Sequence, residues 1–406
     1  MTGRDPAETH RASTPLELLF DLTFVVAFSQ ISSQTAHALE LGHLSSGVIA
    51  FAFTTFAVSW AWINYSWLAS AYDNDDIFFR VATLVIMIGV LVVALGVPAV
   101  FGSLEEGQHL DNTVLVAGYV IMRISTVALW LRAAKHDPAR RRTCLAYAAN
   151  VSIAQVGWVA LIFLNLPIAA TSAVVLLLIL FELAGPLFAE LKYGRTPWHP
   201  HHIAERYGLL VIITLGEVIL GTILAISAVV EEGGWTLEAG LIAFGGTALA
   251  FGMWWVYFTV PPGPVLARHP LRGFPWGYGH IFLFASVIAV GSGLHIAAQA
   301  IAGHGADDLF AAVVVAVPVL AFELLVFVLY GLLVMEFDAL HLWLLLGSAA
   351  VLAIAVLAVG LGASLGAALV IIACSPAVIV VGYETVGHRR EAAALERQGA
   401  RRSREG

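Results

Sequence analysis

Charge is what this sequence has least of. Asp, Glu, Lys and Arg make up 12% of its 406 residues against 60% hydrophobic ones, and the mean hydropathy is +0.88. Soluble domains carry about 25% charged and roughly 45–50% apolar residues. That excludes a soluble enzyme, a nucleic-acid binder and a disordered regulator. Cysteine is equally scarce: Cys144 and Cys374 lie far apart, with no disulfide framework and no metal-ligand spacing. No signal-peptide pattern precedes the first apolar run, which is therefore expected to serve as its own insertion signal. There is no Walker loop, no Ser-His-Asp order and no zinc-protease helix. The sequence reads as a non-enzyme that needs neither cofactor nor metal.

What is present is apolar sequence in long, continuous runs. They fall at about 16–37, 44–68, 78–99, 110–131, 143–165, 167–188, 203–229, 236–260, 277–301, 307–333, 339–361 and 363–384. About 20 apolar residues span a bilayer as a helix, and unbroken runs rather than alternating strands exclude a barrel. The expected fold is an all-α polytopic membrane protein of about twelve transmembrane helices. Ten or eleven stay open, because the first run is polar and the Gly360–Gly366 link is short.

Basic residues predict the orientation. With the N-terminus in the cytoplasm, every Lys and Arg except Arg123 falls on the cytoplasmic side, while the outer loops carry Glu40, Glu105, Glu106, Glu231, Glu232, Asp307 and Asp308. Both termini are thus expected in the cytoplasm of a cell bounded by this membrane. The chain also looks duplicated. F-A-V-S-W-A-W-I-N-Y, with Trp60, Trp62 and Tyr65, is echoed about 190 residues later by F-G-M-W-W-V-Y-F, with Trp254, Trp255 and Tyr257. Each string follows a helix with an acid near its start, Glu17 or Glu205. The expected organisation is an N-terminal tail (1–15), a first six-helix half (16–188), a linker (189–202), a second half (203–384) oriented like the first, and a basic tail (385–406).

Ionisable groups inside spans are costly and point to function. Glu17 and Asp21 lie one turn apart on the first helix, where two carboxylates tend to share a proton or hold a cation. Arg123 is the one basic residue deep in a span. If the halves are equivalent it corresponds to Glu323, and it is expected to pair with Glu323 or with another buried acid. Glu217, between Gly216 and Gly221, is the deepest acid, and Glu182 is a similar candidate. His280 and His295 can titrate near neutral pH. These eight residues are the expected substrate or ion pathway. His199, His201 and His202 form a loop cluster that is not read as a metal site.

P-L-E-L-L-F-D-L-T-F-V-V-A-F-S-Q (Pro15 to Gln30), H-I-A-E-R-Y-G-L-L-V-I-I-T-L-G-E-V-I-L (His202 to Leu220) and the later W-W-V-Y-F carry a resemblance. Together they resemble the bacterial low temperature requirement protein A family, from about residue 14 to residue 385. The resemblance implies a multi-pass plasma-membrane protein linked by name to growth in the cold, and no particular reaction or substrate. The family has an acid after W-W-x-Y-F where this chain has Thr259-Val260, so no role is read onto an acid there. Phe20-Asp21 with Phe24 is more faintly similar to the F-S-D-x-x-F first helix of endolysosomal potassium channels, without the serine. The leading expectation is a secondary transporter of an ion or small solute. A channel of duplicated six-helix units and a non-transport membrane scaffold stay open. The expected partners are the lipid bilayer and, for the arginine-rich tail, anionic headgroups.

Overall fold

The computed structural model describes residues 1–390 apart from 2, 5–7, 9–10, 108, 165, 304–305 and 336–337, and the described residues contain no strand. Twelve helices are long and apolar enough to cross a membrane. They are α1 (Pro15–Glu40), α2 (Leu44–Tyr72), α3 (Ile77–Glu106), α4 (Thr113–His136), α5 (Pro138–Phe163) and α6 (Ile168–Tyr193), then α7 (Pro200–Glu231), α8 (Leu237–Arg268), α9 (Pro270–Ile301), α10 (Asp308–Val334), α11 (Ala339–Gly360) and α12 (Leu365–Arg390). Each contains one of the twelve expected runs or most of it. Several helices reach beyond their runs because caps rather than hydropathy end them. Side chains of Thr14, Asp76, Thr236, Asp307 and Ser364 accept first-turn backbone N–H groups, and Gly107 at φ 72° closes α3. Two spans are interrupted: α7 has an irregular turn at Leu215, and α8 breaks at Thr259–Pro261, where adjacent prolines cannot donate to a helix.

Packing groups the chain into two compact units, Met1–Leu210 and Val211–Gly406. In the first, α3 lies against α1 and α4, α2 against α1 and α3, and α5 between α4 and α6. In the second, α9 lies against α7 and α10, and α12 against α8 and α11.

Large apolar side chains cover the outside, among them Leu95, Ile124, Val156 and Leu177. Lipid tails are as apolar as such residues, so helix association must come from close packing and polar contacts. Glycine supplies the close packing between α3 and α4. A Cβ on Gly96 would lie 2.4 Å from the backbone nitrogen of Leu115, and one on Gly118 2.6 Å from that of Val93. Neither neighbour is a side chain that can swing aside. We expect Gly118→Val to lower the midpoint of thermal unfolding by an amount matching about 1–3 kcal/mol or more. Gly102→Ala, where a Cβ meets nothing within 4 Å, should leave it unchanged. Detergent-solubilised protein heated and run on a sizing column measures both.

Candidate functional site

The start of α1 builds the first part of the site. Its T-P-L-E sequence forms a capping box: the Glu17 backbone N–H donates to Thr14 Oγ1 at 3.2 Å, and the Thr14 N–H donates to Glu17 Oε2 at 2.9 Å. The cap fixes the rotation of α1 and turns Glu17 and Asp21 inward, both fully buried. Across from them stand His202 and Arg206 of α7, also one turn apart and fully buried. Glu17 Oε2 lies 3.2 Å from His202 Nε2, and Arg206 Nη2 donates to Asp21 Oδ1 at 2.6 Å. Both helices advance one turn between these rungs, so α1 and the start of α7 run in the same direction there.

Aromatic residues close the ladder. Trp62 Nε1 donates to Asp21 Oδ1 at 2.7 Å, and the Arg206 guanidinium lies 5.6 Å from the centre of the Trp62 ring. Tyr207 meets Trp62 edge-on at 4.9 Å and accepts from Trp67 Nε1 at 3.0 Å. Hydrogen-bonding capacity is left over. Glu17 Oε1, Asp21 Oδ2, His202 Nδ1 and Arg206 Nε and Nη1 are buried and have no hydrogen-bond partner among the described residues. Buried polar groups are ordinarily satisfied, and five such atoms here fall in four neighbouring side chains. Chemically, the ladder offers carboxylate acceptors and guanidinium donors together, with an imidazole whose proton changes its net charge by one.

The expectation that Glu17 and Asp21 share a proton or a cation between them needs correcting. Each carboxylate has its own partner on α7, because the matching one-turn spacing sets two rungs side by side. Arg206, counted among the cytoplasmic basic residues, sits wholly inside the protein. Like Arg123, it is a buried cation paired with a carboxylate.

Arg123 anchors a second cluster. Its Nη2 donates to Glu182 Oε2 at 2.7 Å, and its guanidinium lies 5.1 Å from the Tyr119 ring centre. Trp158 Nε1 donates to Glu182 Oε1 at 2.9 Å, and Trp60 Nε1 donates to Glu182 Oε2. Of the two alternatives for Arg123, pairing with another buried acid is the one observed. A cleft of about 300 Å³ opens onto Glu182, lined by Phe53, Phe56, Leu115, Tyr119 and Trp158 among others. Trp60 and Trp62 are two residues apart on α2 and so point to opposite sides of it. One indole serves Glu182 and the other serves Asp21.

The second unit holds the remaining candidates separately. Glu323 of α10 is hydrogen-bonded to Ser375 Oγ of α12 at 2.8 Å and to Ser348 Oγ of α11. Glu217, buried in the first turn after Leu215, packs under α9, where a Cβ on Gly291 would lie 2.8 Å from its own. His280 Nδ1 lies 2.8 Å from the Trp276 carbonyl and Nε2 lies 3.0 Å from the Tyr257 hydroxyl. With Tyr257, Trp276 and Tyr330 it borders a cleft of about 310 Å³. His295 is half-buried beside Gly221. Trp254 and Trp255 are 38% and 37% exposed, whereas Trp60, Trp62 and Tyr65 are at most 2% exposed. The two aromatic strings therefore occupy different settings. Among the described residues no group of three or more His, Cys, Asp or Glu is arranged to hold a metal ion.

Sequence reasoning placed Glu17, Asp21, Arg123 and Glu182 on its list. It missed the contributions of Trp158, Ser348, Ser375 and His202, and it read Trp60 and Trp62 only as repeat markers. The spacing of W-A-W held a usable signal, since indoles on opposite helix faces each need an acceptor when buried.

The N-terminal segment covers the end of α2. Arg11, 7% exposed, donates from Nη2 to the Ala69 carbonyl at 2.7 Å and from Nη1 to that of Ser70, and Arg4 N–H donates to Ala71 at 3.0 Å. These carbonyls lie in the last turn of α2, where cationic donors oppose the negative end of the helix dipole. Burial here pushes the Asp73 carboxyl up to about 6. The unfolded chain releases that proton near the ordinary value of 3.8, so the native state binds more protons between the two values. Stability is expected to fall as pH rises through that window and then to level off. Thermal unfolding followed across it should show the fall reduced in Asp73→Asn relative to wild type, and parallel curves would exclude Asp73 as the source. Asp76 behaves oppositely: hydrogen bonds from the Arg132 guanidinium hold it well below the usual carboxylate range.

Residues 12–375 match the sequence family described as bacterial low temperature requirement A protein (LtrA). An uncharacterized protein of Rhizobium meliloti (strain 1021) is 28% identical over 268 residues, 63% of this chain and 60% of that protein. The chain thus matches about three fifths of the length of that curated relative. Every buried ionisable group described above except Arg11 lies within the family match.

Proposed function

The chain belongs to the bacterial low temperature requirement A protein family and is a multi-pass membrane protein, and from the charge it buries we propose that it is a secondary transporter of an ion or small polar solute. The Glu17–His202 and Asp21–Arg206 ladder carries this reading. Four fully buried ionisable groups are an expensive way to hold helices together, because well-packed apolar residues of similar volume stabilise as well or better. Groups of this kind inside a membrane mark pathways and relays. The unpartnered atoms of the same four side chains support contact with a solute rather than with protein.

Under this reading residues 16–188 and 203–384 are duplicated six-helix halves inserted in the same sense, with both termini in the cytoplasm, and an ion gradient drives the solute. The chain performs no covalent chemistry. The basic tail from residue 391 onward, expected at anionic headgroups, lies outside the described residues, and its contact with lipid is part of the proposal.

The test is flux through the full chain in proteoliposomes with a trapped pH-sensitive dye, challenged with Na⁺, K⁺ and neutral amino acids in turn. We expect at least one challenge to change internal pH, and Asp21→Asn to lower that response tenfold or more. Equal responses from wild type and Asp21→Asn would remove the ladder from transport. Unitary currents in a planar bilayer would replace the transporter by a channel.

A further inference from the structure

Glu323 is held differently from Asp21 and Glu182. Arg206 faces Asp21 and Arg123 faces Glu182, but no cation lies within ion-pair distance of Glu323 among the described residues. Its partners are two serine hydroxyls from two other helices, and all three residues are fully buried. Ser375 Oγ lies 2.8 Å from Glu323 Oε1, Ser348 Oγ is bonded to Glu323 Oε2, and the two hydroxyl oxygens are 2.5 Å apart.

Counting hydrogens decides what this ring holds. Two of the three oxygen–oxygen contacts are of hydrogen-bond length and the Ser348–Glu323 contact is closer still, and each needs a hydrogen. The two serines supply two. An ionised carboxylate that accepts from both uses them up and leaves the Ser348–Ser375 contact with none. A carboxyl that carries a proton supplies the third: Glu323 donates to Ser348, Ser348 to Ser375, and Ser375 back to the other carboxyl oxygen. An octahedral calcium or magnesium ion keeps its oxygen ligands at about 2.0–2.6 Å from itself, which sets neighbouring ligands further apart than either contact of Ser348.

The helices packed against α10 bring no charged group into hydrogen-bond or ion-pair contact with Glu323 among the described residues, though near their ends they also carry His388, Arg389 and Arg390 of α12. They carry His280 and His295 on α9, His341 on α11, Cys374 on α12, and Glu238 and Tyr257 on α8. His280 is bonded to Trp276 and Tyr257, and His341 stacks on Phe327. Cys374 donates to the Val370 carbonyl, and Glu238 accepts from Ser364 and Gly366 at the start of α12. Arg268, Arg272, Asp308 and Glu384 lie toward helix ends. None of these groups is hydrogen-bonded or ion-paired to Glu323.

We propose that Glu323, Ser348 and Ser375 form a proton-binding site within the second unit, and that the proton it holds is the ion coupled to transport. The coupling role rests on the transporter reading; the proton site does not. Proton loss leaves a carboxylate with two hydroxyl donors and one broken contact among three helices. That gives α10, α11 and α12 a reason to repack when the proton leaves.

Infrared difference spectroscopy on the full chain in proteoliposomes tests the site without any substrate. At neutral pH we expect a carbonyl band of protonated carboxylic acid that disappears in Glu323→Gln, is displaced in Ser375→Ala, and moves to lower frequency soon after exchange into D₂O. Absence of the band, its survival in Glu323→Gln, or an unmoved band in Ser375→Ala would overturn the site. A band that resists D₂O would show a structural proton and overturn the coupling role. In the dye assay Glu323→Gln should lose the response tenfold or more, and an undiminished response would also overturn coupling. Failure of the transporter reading itself is read separately, from Asp21→Asn and from wild type lacking any response.

Discussion

Arg206→Gln should be among the most damaging single changes in this protein. The substitution leaves Asp21 buried beside Glu17 with only the Trp62 indole to offset its charge. Removing one partner of a buried ion pair costs about 3–5 kcal/mol, because the other charge stays buried without compensation. The expected result is a sharp fall in the folded fraction recovered from membranes and in the midpoint of thermal unfolding. The double variant Asp21→Asn with Arg206→Gln should recover at least half of that loss, since it removes both charges and keeps the hydrogen-bonding shapes. Sizing-column recovery after graded heating measures all three chains. If the double variant is no more stable than Arg206→Gln alone, the two residues are not energetically coupled and the ladder is not a unit. Flux and stability separate its two roles: the double variant is expected to fold and to stay inactive in the dye assay.

Glu182→Leu should cost as much or more. One carboxylate takes hydrogen bonds from Arg123, Trp60 and Trp158, so its removal strands three buried donors at once. The uncompensated guanidinium alone costs about 3–5 kcal/mol, and each stranded indole adds about 1–3 kcal/mol. The variants are expected to rank in order of damage as Glu182→Leu, then Arg123→Leu, then Trp158→Phe. Arg123→Leu leaves the carboxylate its two indoles, and Trp158→Phe leaves it the guanidinium and one indole. Thermal midpoints in a common detergent read the ranking. Equal losses in all three would mean that the site is held by packing, with the hydrogen bonds incidental.

The sequence carried much of this in local form. Twelve apolar runs predicted twelve helices, because hydropathy is summed over about 20 neighbouring residues and needs no tertiary information. The T-P-L-E cap of α1 and the acids at Glu17 and Asp21 were also legible, since capping and one-turn spacing are local patterns. The partner of Arg206 was not legible for a physical reason. A basic residue near the start of an apolar run looks the same in sequence whether it faces water or a carboxylate on another helix.

Partner choice was the part that sequence left open. His202 and Arg206 meet acids 185 residues earlier in the chain, and nothing local to either helix encodes that register. The same holds for Ser348 and Ser375, ordinary small residues in apolar runs until three helices bring them to one carboxyl. Sequence alone determined that this is a helical membrane protein and which few residues carry ionisable groups into the apolar spans, because the cost of burying charge is paid residue by residue. The tertiary structure decided which charges are neutralised by ion pairs and which by a ring of hydroxyls. That difference arises only from side chains meeting across helices, and it distinguishes the Asp21 ladder from the proton site at Glu323.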